Sequence, residues 1–206
     1  MAAKRLIVGM SGATGAIYGI RLLEVLKDLP EIETHLVIST ATGQTILQET
    51  DFTLKQVEAL ADVNYRFGEI GASLSSGSFK TTGMVVIPCS MKTLSGIAHS
   101  FSDNLLLRAA DVVLKERRKL VLVTRETPLH LGHLRLMVQV TEMGGIIMPP
   151  MPAFYHRPKT LEDIVNQAVN RILDQFDIDP GDDLFERWQG MTHASGSELP
   201  REAEED

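Results

Sequence analysis

Cysteine is almost absent from this sequence. Cys89 is the single cysteine among 206 residues, so the chain cannot form an intrachain disulfide and must be stabilised by a packed core. Such a core is available, because hydrophobic residues make up 44% of the sequence and charged residues 23%, as in ordinary globular domains. The low cysteine content also fits a reducing compartment, and we expect a cytoplasmic protein.

A surplus of positive charge is also missing. Lys and Arg number 20 against 27 Asp and Glu, which gives a net charge of −7. Nucleic-acid-binding proteins normally carry a basic balance or a clustered basic face. The basic run at 115–119 is better explained as the end of a helix, where the helix dipole favours cations. We therefore predict no nucleic-acid partner.

Long hydrophobic runs are absent as well. The first apolar run stops at Ser11-Gly12, too early for the hydrophobic segment of a signal peptide followed by a cleavage site. No stretch approaches the roughly 20 apolar residues that a membrane-spanning helix requires. We expect a soluble protein that does not attach to a membrane.

Short apolar runs that alternate with helical patterns indicate the fold. Runs typical of strands covered on both faces occur at Arg5–Met10, Thr34–Ile38, Met84–Pro88, Leu120–Thr124 and Gly145–Met148. Helical spacing occurs at Gly15–Leu29, Leu94–Ser100, Asn104–Arg118, Leu131–Met143 and Thr160–Phe176. This alternation predicts a doubly wound parallel sheet in a three-layer α/β/α, Rossmann-like domain. We assign residues 1–190 to that single domain and 191–206 to an acidic tail without apolar periodicity.

The first predicted strand leads directly into a glycine-rich turn, Gly9-Met-Ser-Gly12-Ala-Thr-Gly15. Backbone N–H groups of such a turn, together with the N-terminus of the following helix, can bind a phosphate. A tight turn without a ligand is the alternative. The spacing differs from the Gly-x-Gly-x-x-Gly of dinucleotide sites, and the second strand ends in Ser39-Thr40 instead of an acid for a ribose. A mononucleotide is therefore favoured over NAD.

A second polar loop, Cys89-Ser-Met-Lys-Thr93, follows the strand predicted at Met84–Pro88. Ser90 can cap the helix after it and leave N–H groups pointing into a crevice. Capping alone would explain Ser90, and burial alone would explain Cys89. Two such loops at strand ends predict a ligand crevice at the switch point of the sheet.

Further polar and aromatic candidates lie downstream. Arg125 and Glu126 follow a predicted strand, where ligands of such sheets bind, although a surface ion pair is an equally good explanation. The proline-rich stretch 149–158 holds Phe154 and Tyr155 either against a ligand or in a packed aromatic corner. Trp188 is explained by anchoring of the chain end to the core.

Two histidines, His130 and His133, are spaced to share one face of a helix. Neither an acid nor a cysteine at an interpretable spacing completes a recognisable set of metal ligands. We therefore predict no metal site.

Together these motifs resemble the flavin prenyltransferase family (UbiX-type). The resemblance extends from Lys4 to Gly190 and keeps the motifs in the family's order. The matching stretches are 9–19, Glu49-Thr-Asp51, 88–95, 108–118, Arg125-Glu-Thr-Pro128 and 152–158. The family usually has Ser where this chain has Thr14, and often Lys where it has Thr40. The acidic tail has no family counterpart.

The resemblance implies a defined reaction. A dimethylallyl group is transferred from dimethylallyl monophosphate to N5 and C6 of reduced FMN, phosphate is released, and no metal is required. The product, prenylated FMN, is the cofactor of UbiD-type decarboxylases. Family members form large homo-oligomers, commonly dodecamers, with their sites at subunit contacts.

The resemblance also assigns residues. FMN would be bound by Gly12, Ala13, Thr14, Ser39, Ser90, Met91, Lys92, Thr93 and Arg125. The phosphate of the donor would be bound by Lys115, Arg125, Tyr155 and Arg171. The reaction itself would depend on Glu49, Arg108, Lys115, Glu126, Tyr155, Arg171 and Trp188.

Individual roles follow from that assignment. Glu126 is expected to move protons, and Trp188 to stabilise allylic cation character with its π face. Glu49 is expected to order a polar network with Arg108 or a neighbouring cation. Two alternatives stay open: a flavin carrier subunit of an aromatic-acid decarboxylase, and a flavin-dependent cysteine decarboxylase, for which we find no substrate-clamp motif.

Overall fold

The computed structural model describes residues 3–190, and the predicted acidic tail at 191–206 lies outside that range. Within it, six parallel strands form one sheet in the order β3-β2-β1-β4-β5-β6. The strands are Lys4–Met10 (β1), Ile32–Ile38 (β2), Val63–Tyr65 (β3), Gly83–Cys89 (β4), Lys119–Thr124 (β5) and Ile146–Ile147 (β6). The helices are Ala16–Lys27 (α1), Thr40–Glu49 (α2), Leu54–Glu58 (α3), Met91–Ala98 (α4), Leu105–Lys115 (α5), Leu131–Glu142 (α6) and Leu161–Gln175 (α7). The predicted α/β, Rossmann-like fold is confirmed.

Both faces of the sheet are covered, which explains the continuous apolar runs of its strands. On one face, side chains such as Leu6 and Val8 pack with α1 and α7. On the other, Ile7 and Val86 pack with Leu106 of α5 and with α4. Strand β4 is buried along its whole length. Successive strand residues point to opposite faces, so a strand between two helical layers needs apolar residues at every position.

Three elements escaped prediction, because their apolar signal is weak. Strand β3 has only three residues, and α2 buries just Thr42 and Ile46 among its ten. Helix α3 begins with a capping box between Thr53 and Gln56, a signal that was present in the sequence.

At several helices the observed first residue differs from the predicted one, because the N-cap residue does not belong to the helix itself. Gly15, with φ of 97°, is the N-cap of α1, and Thr160 is the N-cap of α7. Helix α4 begins at Met91 rather than Leu94, since Ser90 caps it.

One helix presents an apolar face to solvent. On α6, Leu131, Leu134 and Val138 are each about half exposed, and their spacing puts them on one side of the helix. The helix keeps Val140 as its one fully buried residue. Among the helices of residues 3–190, none has the length and hydrophobicity to cross a bilayer.

Candidate active site

The strand order reverses between β1 and β4, and polar loops follow both strands. The N–H of Ser11 donates to the carbonyl of Pro88 at 3.1 Å, and the N–H of Ser90 donates to Oγ of Ser11 at 2.9 Å. These cross-bonds hold the two loops side by side at the carboxyl edge of the sheet. Ligands of open α/β sheets bind at such a switch point.

Three helix N-termini meet at this edge. Ser39 caps α2 by accepting from the N–H of Thr42, Ser90 caps α4 by accepting from Thr93, and Asn104 caps α5 by accepting from Leu107. All three caps line one crevice of about 1060 Å³. Because each N-terminus carries partial positive charge and free N–H groups, their convergence favours an anion.

Several residues assigned to FMN by resemblance line this crevice. They are Gly12, Ser39, Ser90, Met91, Lys92 and Thr93. Gly12 is required sterically, because a Cβ at this position would lie 2.5 Å from Cβ of Ala41. Ala13 and Thr14 lie on the same turn next to the crevice but are not part of its lining.

At the glycine-rich turn, a side chain of the protein itself occupies the helix N-terminus that we expect to bind a phosphate. Glu49, at the end of α2, places Oε2 at 2.8 Å from the N–H of Gly15 and 3.2 Å from that of Ala16. This carboxylate occupies the N-terminus of α1, where we had expected a ligand phosphate. Within one chain Arg108 pairs with Asp111 at 2.8 Å, and the network of Glu49 with Arg108 or a neighbouring cation stays a prediction.

Arg125 and Glu126 follow β5 at the same edge. The N–H of Arg125 donates to the carbonyl of Cys89 at 3.1 Å, which places the backbone of Arg125 beside the start of the Ser90 loop; its side chain is exposed and is not part of the crevice lining. Glu126 lines the crevice. Its Oε1 accepts from the N–H of Thr127 at 3.0 Å, so the other oxygen stays available.

Lys115 lies away from the crevice. Helix α5 begins at the crevice and runs away from it. Lys115 is the last residue of α5 and lies seven residues beyond Arg108, about 10 Å farther along the helix. There it pairs with Glu116 beside Gly77. One chain therefore does not bring Lys115 to the crevice.

Tyr155, Arg171 and Trp188 form a separate group along α7, here called the C-terminal cluster. The rings of Tyr155 and Trp188 are 5.8 Å apart, and the hydroxyl of Tyr155 is 3.4 Å from Nε2 of Gln167. Arg171 lies one turn beyond Gln167 and pairs with Asp174 at 2.6 Å. Tyr155 and Trp188 are about half exposed, and no member of the cluster lines the crevice.

Comparison with known proteins identifies the family. The Flavoprotein family profile matches residues 1–173. Flavin prenyltransferase UbiX of Escherichia coli K12 is 68% identical over 187 residues, which cover 91% of this chain and 99% of the relative. The chain belongs to the UbiX-type flavin prenyltransferases. The predicted flavoprotein fold and prenyltransferase class are thereby confirmed, and neither alternative function is favoured.

Solved structures of UbiX-type proteins agree with this membership. AnUbiX (PadA1), in complex with FMN and dimethylallyl pyrophosphate, superposes with a TM-score of 0.89 at 51% identity, covering 92% of this chain and all of that one. A dodecameric FMN-dependent UbiX-like decarboxylase from E. coli O157:H7 gives a TM-score of 0.87 at 52% identity, with 91% and 100% coverage.

Among residues 3–190, Cys89 and the pair His130 and His133 form neither a reactive thiol nor a metal site. Cys89 is fully buried, and burial raises the pKa of its thiol far above the usual range, so it stays protonated and unreactive. His130 and His133 stack with ring centroids 3.6 Å apart, and Nδ1 of His130 accepts from the N–H of Gly132. In residues 3–190, no group of three metal-ligating side chains is found.

Some crevice residues were missed from the sequence. They include Gln44, Phe67, His99, Phe101, Asp103, Asn104 and Leu107. Four of these seven, His99, Phe101, Asp103 and Asn104, lie in the segment that joins α4 to α5, far in sequence from the glycine-rich turn. Asn104 was recognisable as a helix cap, but only the fold shows that the cap faces the crevice.

Proposed function

We propose that this chain prenylates reduced FMN with a dimethylallyl phosphate donor. The observation that carries the proposal is the crevice at the switch point, onto which three capped helix N-termini and Lys92 converge. The N–H groups of these three helix N-termini and the ammonium of Lys92 fit a flavin phosphate, and the carboxylates of Asp103 and Glu126 line the same crevice. The neighbouring Met91, Phe67 and Leu107 supply apolar surface for a flat ring system.

The reaction joins N5 of reduced FMN to the allylic carbon of the donor while the bond from that carbon to phosphate breaks. A second bond then joins C6 of the flavin to the far carbon of the prenyl double bond; the double bond is consumed and gains a proton, and C6 loses its own proton. The leaving phosphate needs cations when no metal is bound. A contact at 4 Å contributes about 4 kcal/mol at an effective dielectric constant of 20, before the desolvation penalty is subtracted. We assign this role to Lys115, Arg125 and Arg171, with Tyr155 as a hydroxyl donor.

We assign the proton transfers to Glu126, which lines the crevice with one carboxylate oxygen available. It would accept the proton lost from the flavin in ring closure and return one to phosphate. Glu49 is kept as an active-site residue that fixes the turn before α1, and Trp188 as the aromatic side chain next to the prenyl group.

These groups lie in three places of one chain, so we propose that the complete site forms between copies in a homo-oligomer. Crevice, Lys115 and C-terminal cluster would then be contributed by different subunits. The exposed apolar face of α6 supports oligomerisation, because soluble proteins rarely leave such a stripe uncovered. A dodecamer is the proposed size, by analogy with the UbiX-like relative that is described as dodecameric.

The proposed recipient of prenylated FMN is a UbiD-type decarboxylase in the cytoplasm. The compartment rests on the sequence alone, through the single cysteine. The domain boundary at residue 190 likewise stays a prediction.

The decisive experiment is anaerobic incubation of the purified protein with reduced FMN and dimethylallyl monophosphate, followed by mass spectrometry of the extracted flavin. The expected product is heavier than FMN by one prenyl unit. A parallel reaction with dimethylallyl pyrophosphate tests the donor, since Thr14 adds a methyl group at the glycine-rich turn. If neither donor, nor any other prenyl phosphate, modifies bound FMN, the proposed function is wrong.

A further inference from the structure

Asp174 is the centre of an ion-pair network on α7. Its Oδ2 accepts from Nη1 of Arg171 at 2.6 Å and from Nη1 of Arg187 at 3.0 Å, and its Oδ1 accepts from Nη2 of Arg187 at 2.9 Å. Arg187 is thus held in two-pronged fashion, which fixes orientation as well as distance. The carboxylate side chain is 21% exposed, and the side chains of Arg171 and Arg187 are 45% and 37% exposed, so the network is partly shielded from solvent.

Arg187 fastens the last part of the described chain to α7. Besides Asp174 it contacts Asp183, 2.6 Å from its Nε. The same segment is held by the buried Asn170, whose Oδ1 accepts from the N–H of Leu184 at 2.8 Å. Trp188 directly follows Arg187 and contacts the ring of Tyr155. The position of Trp188 therefore depends on the ion pair between Asp174 and Arg187, the residue before the tryptophan.

Arg171 is oriented by the same carboxylate. A guanidinium group has five N–H donors, and only Nη1 of Arg171 contacts Asp174. Nη2 and Nε are left to bind a second anion. Residues three and four apart share a helix face, so Gln167, Arg171 and Asp174 follow one another along the side of α7 that carries Tyr155.

We propose that Asp174 is a positioning residue for the donor: it fixes the guanidinium of Arg171 and, through Arg187, the ring of Trp188 around the dimethylallyl phosphate. It does not itself touch the substrate. The inference rests on the proposed function, which gives Arg171 and Trp188 their roles. It adds that their arrangement depends on one carboxylate in residues that the family motifs do not include.

The charge state of Asp174 supports this role. Hydrogen bonds from Arg187, with those from Arg171, hold the pKa of Asp174 below its ordinary value. The carboxylate therefore stays ionised at any pH at which the enzyme would be assayed, and both arginines keep their partner.

The test compares Asp174→Asn with Asp177→Asn in the full-length oligomer. Asp177 is a matched control, because it lies three residues away, pairs with Lys119, and is 89% exposed. Three quantities are measured: the Kd of dimethylallyl monophosphate for FMN-loaded protein by calorimetry, the Kd of FMN, and the fluorescence anisotropy of tryptophan. Trp188 is the single tryptophan of the chain, so its signal reports the segment directly.

We expect Asp174→Asn to raise the donor Kd about tenfold, the effect of about 1.4 kcal/mol, and to lower the anisotropy of Trp188. The Kd of FMN should stay within about twofold, which also shows that the variant is folded. Asp177→Asn should match the wild type in all three. Arg187→Gln is a second variant, which releases the segment but leaves Arg171 paired, and should lower the anisotropy with a smaller change in donor Kd.

An unchanged donor Kd in Asp174→Asn overturns the inference, and so does a changed anisotropy without a change in donor Kd, since the residue would then be merely structural. Failure of the proposed function looks different. In that case the wild-type protein binds the donor but yields no prenylated flavin, and the donor Kd values still decide the role of Asp174. If the wild type binds no donor at all, both proposals fall.

Discussion

The crevice and the C-terminal cluster are built in opposite ways. The crevice consists of backbone N–H groups and short hydroxyl side chains, held by cross-bonds between Ser11, Pro88 and Ser90, and every part of it comes from one chain. The C-terminal cluster consists of long or aromatic side chains, Tyr155, Arg171 and Trp188, which are about half exposed. A single chain completes the first region and leaves the second open.

The difference reflects the two ligands that we propose. Flavin binding needs a rigid surface, which strand ends and helix caps provide without help from another molecule. Stabilisation of a leaving phosphate needs several cations, which repel one another when crowded in one chain before the substrate arrives. If these cations come from several subunits, as we propose, the single chain does not have to crowd them together.

The largest expected effect is the recovery of activity in mixed oligomers of two inactive variants, which tests whether one site takes residues from several subunits. Lys115→Ala and Glu126→Gln should each lower turnover at least about a hundredfold, as does removal of one charge-stabilising group in other enzymes. If Lys115 and Glu126 of one site come from different subunits, co-expressed mixed oligomers regain activity at about a quarter of their sites. Turnover of tag-purified mixtures measures this.

Lys119→Ala is the control for charge removal, since Lys119 is partly exposed and pairs with Asp177. It should retain wild-type turnover. Mixed oligomers that stay as inactive as either parent would show that each subunit carries a complete site.

The next effect concerns the apolar face of α6. Val138→Glu places a charge on a side chain that is 56% exposed in the single chain, and burial of this charge in a subunit contact is costly. We expect a smaller oligomer in sedimentation velocity and at least about a tenfold loss of turnover, with FMN binding retained. Gln139 is a polar, exposed residue of the same helix that does not belong to the apolar face. Gln139→Glu should change neither oligomer size nor turnover.

A smaller effect is expected at the crevice itself. Ser90→Ala removes the cap of α4 and should cost about 1 kcal/mol of stability, while the Kd of FMN rises up to about tenfold. Thr53→Ala removes the equivalent cap of α3, a helix that does not reach the crevice, and should cost similar stability with an unchanged Kd. Equal FMN affinity in the two variants would contradict the assignment of α4 to the phosphate.

The smallest expected effect is a pH dependence of the stability of the fold, which arises from one buried histidine. His35 is buried on β2, with Glu33 2.8 Å from Nε2 and the hydroxyl of Tyr65 3.0 Å from Nδ1. Burial lowers its pKa, and nearby Arg5 acts in the same direction, although Glu33 and Asp62 oppose the shift. The unfolded chain therefore binds a proton more readily than the folded one, and stability falls as the pH drops below about 6.5.

We expect the thermal midpoint of the wild type to fall more between pH 7 and pH 5 than that of His35→Gln. The slope difference is at most about 1.4 kcal/mol per pH unit. His99→Gln, at an exposed histidine, should keep the wild-type slope. An identical slope in His35→Gln and the wild type would show that His35 is protonated equally in both states.

The sequence was sufficient for five of the six strands and for the two polar loops at the switch point, because buried parallel strands and helix caps leave local signals. Strand β3 (Val63–Tyr65) was not predictable, since it has only three residues and the central one, Asn64, is polar. The positions of Lys115 and Arg171 relative to the crevice were beyond any local pattern. They depend on the direction in which α5 and α7 run across the sheet, and on contacts between copies of the chain.

The contact between Glu49 and the start of α1 has a consequence for competition between ligands. The carboxylate is a resident counter-anion, so the N–H groups of Gly15 and Ala16 are occupied before any ligand arrives. Free phosphate or sulfate in a buffer therefore finds no binding place at this turn. We expect such anions to compete with FMN at the N-termini of α2, α4 and α5 instead, whose caps line the crevice.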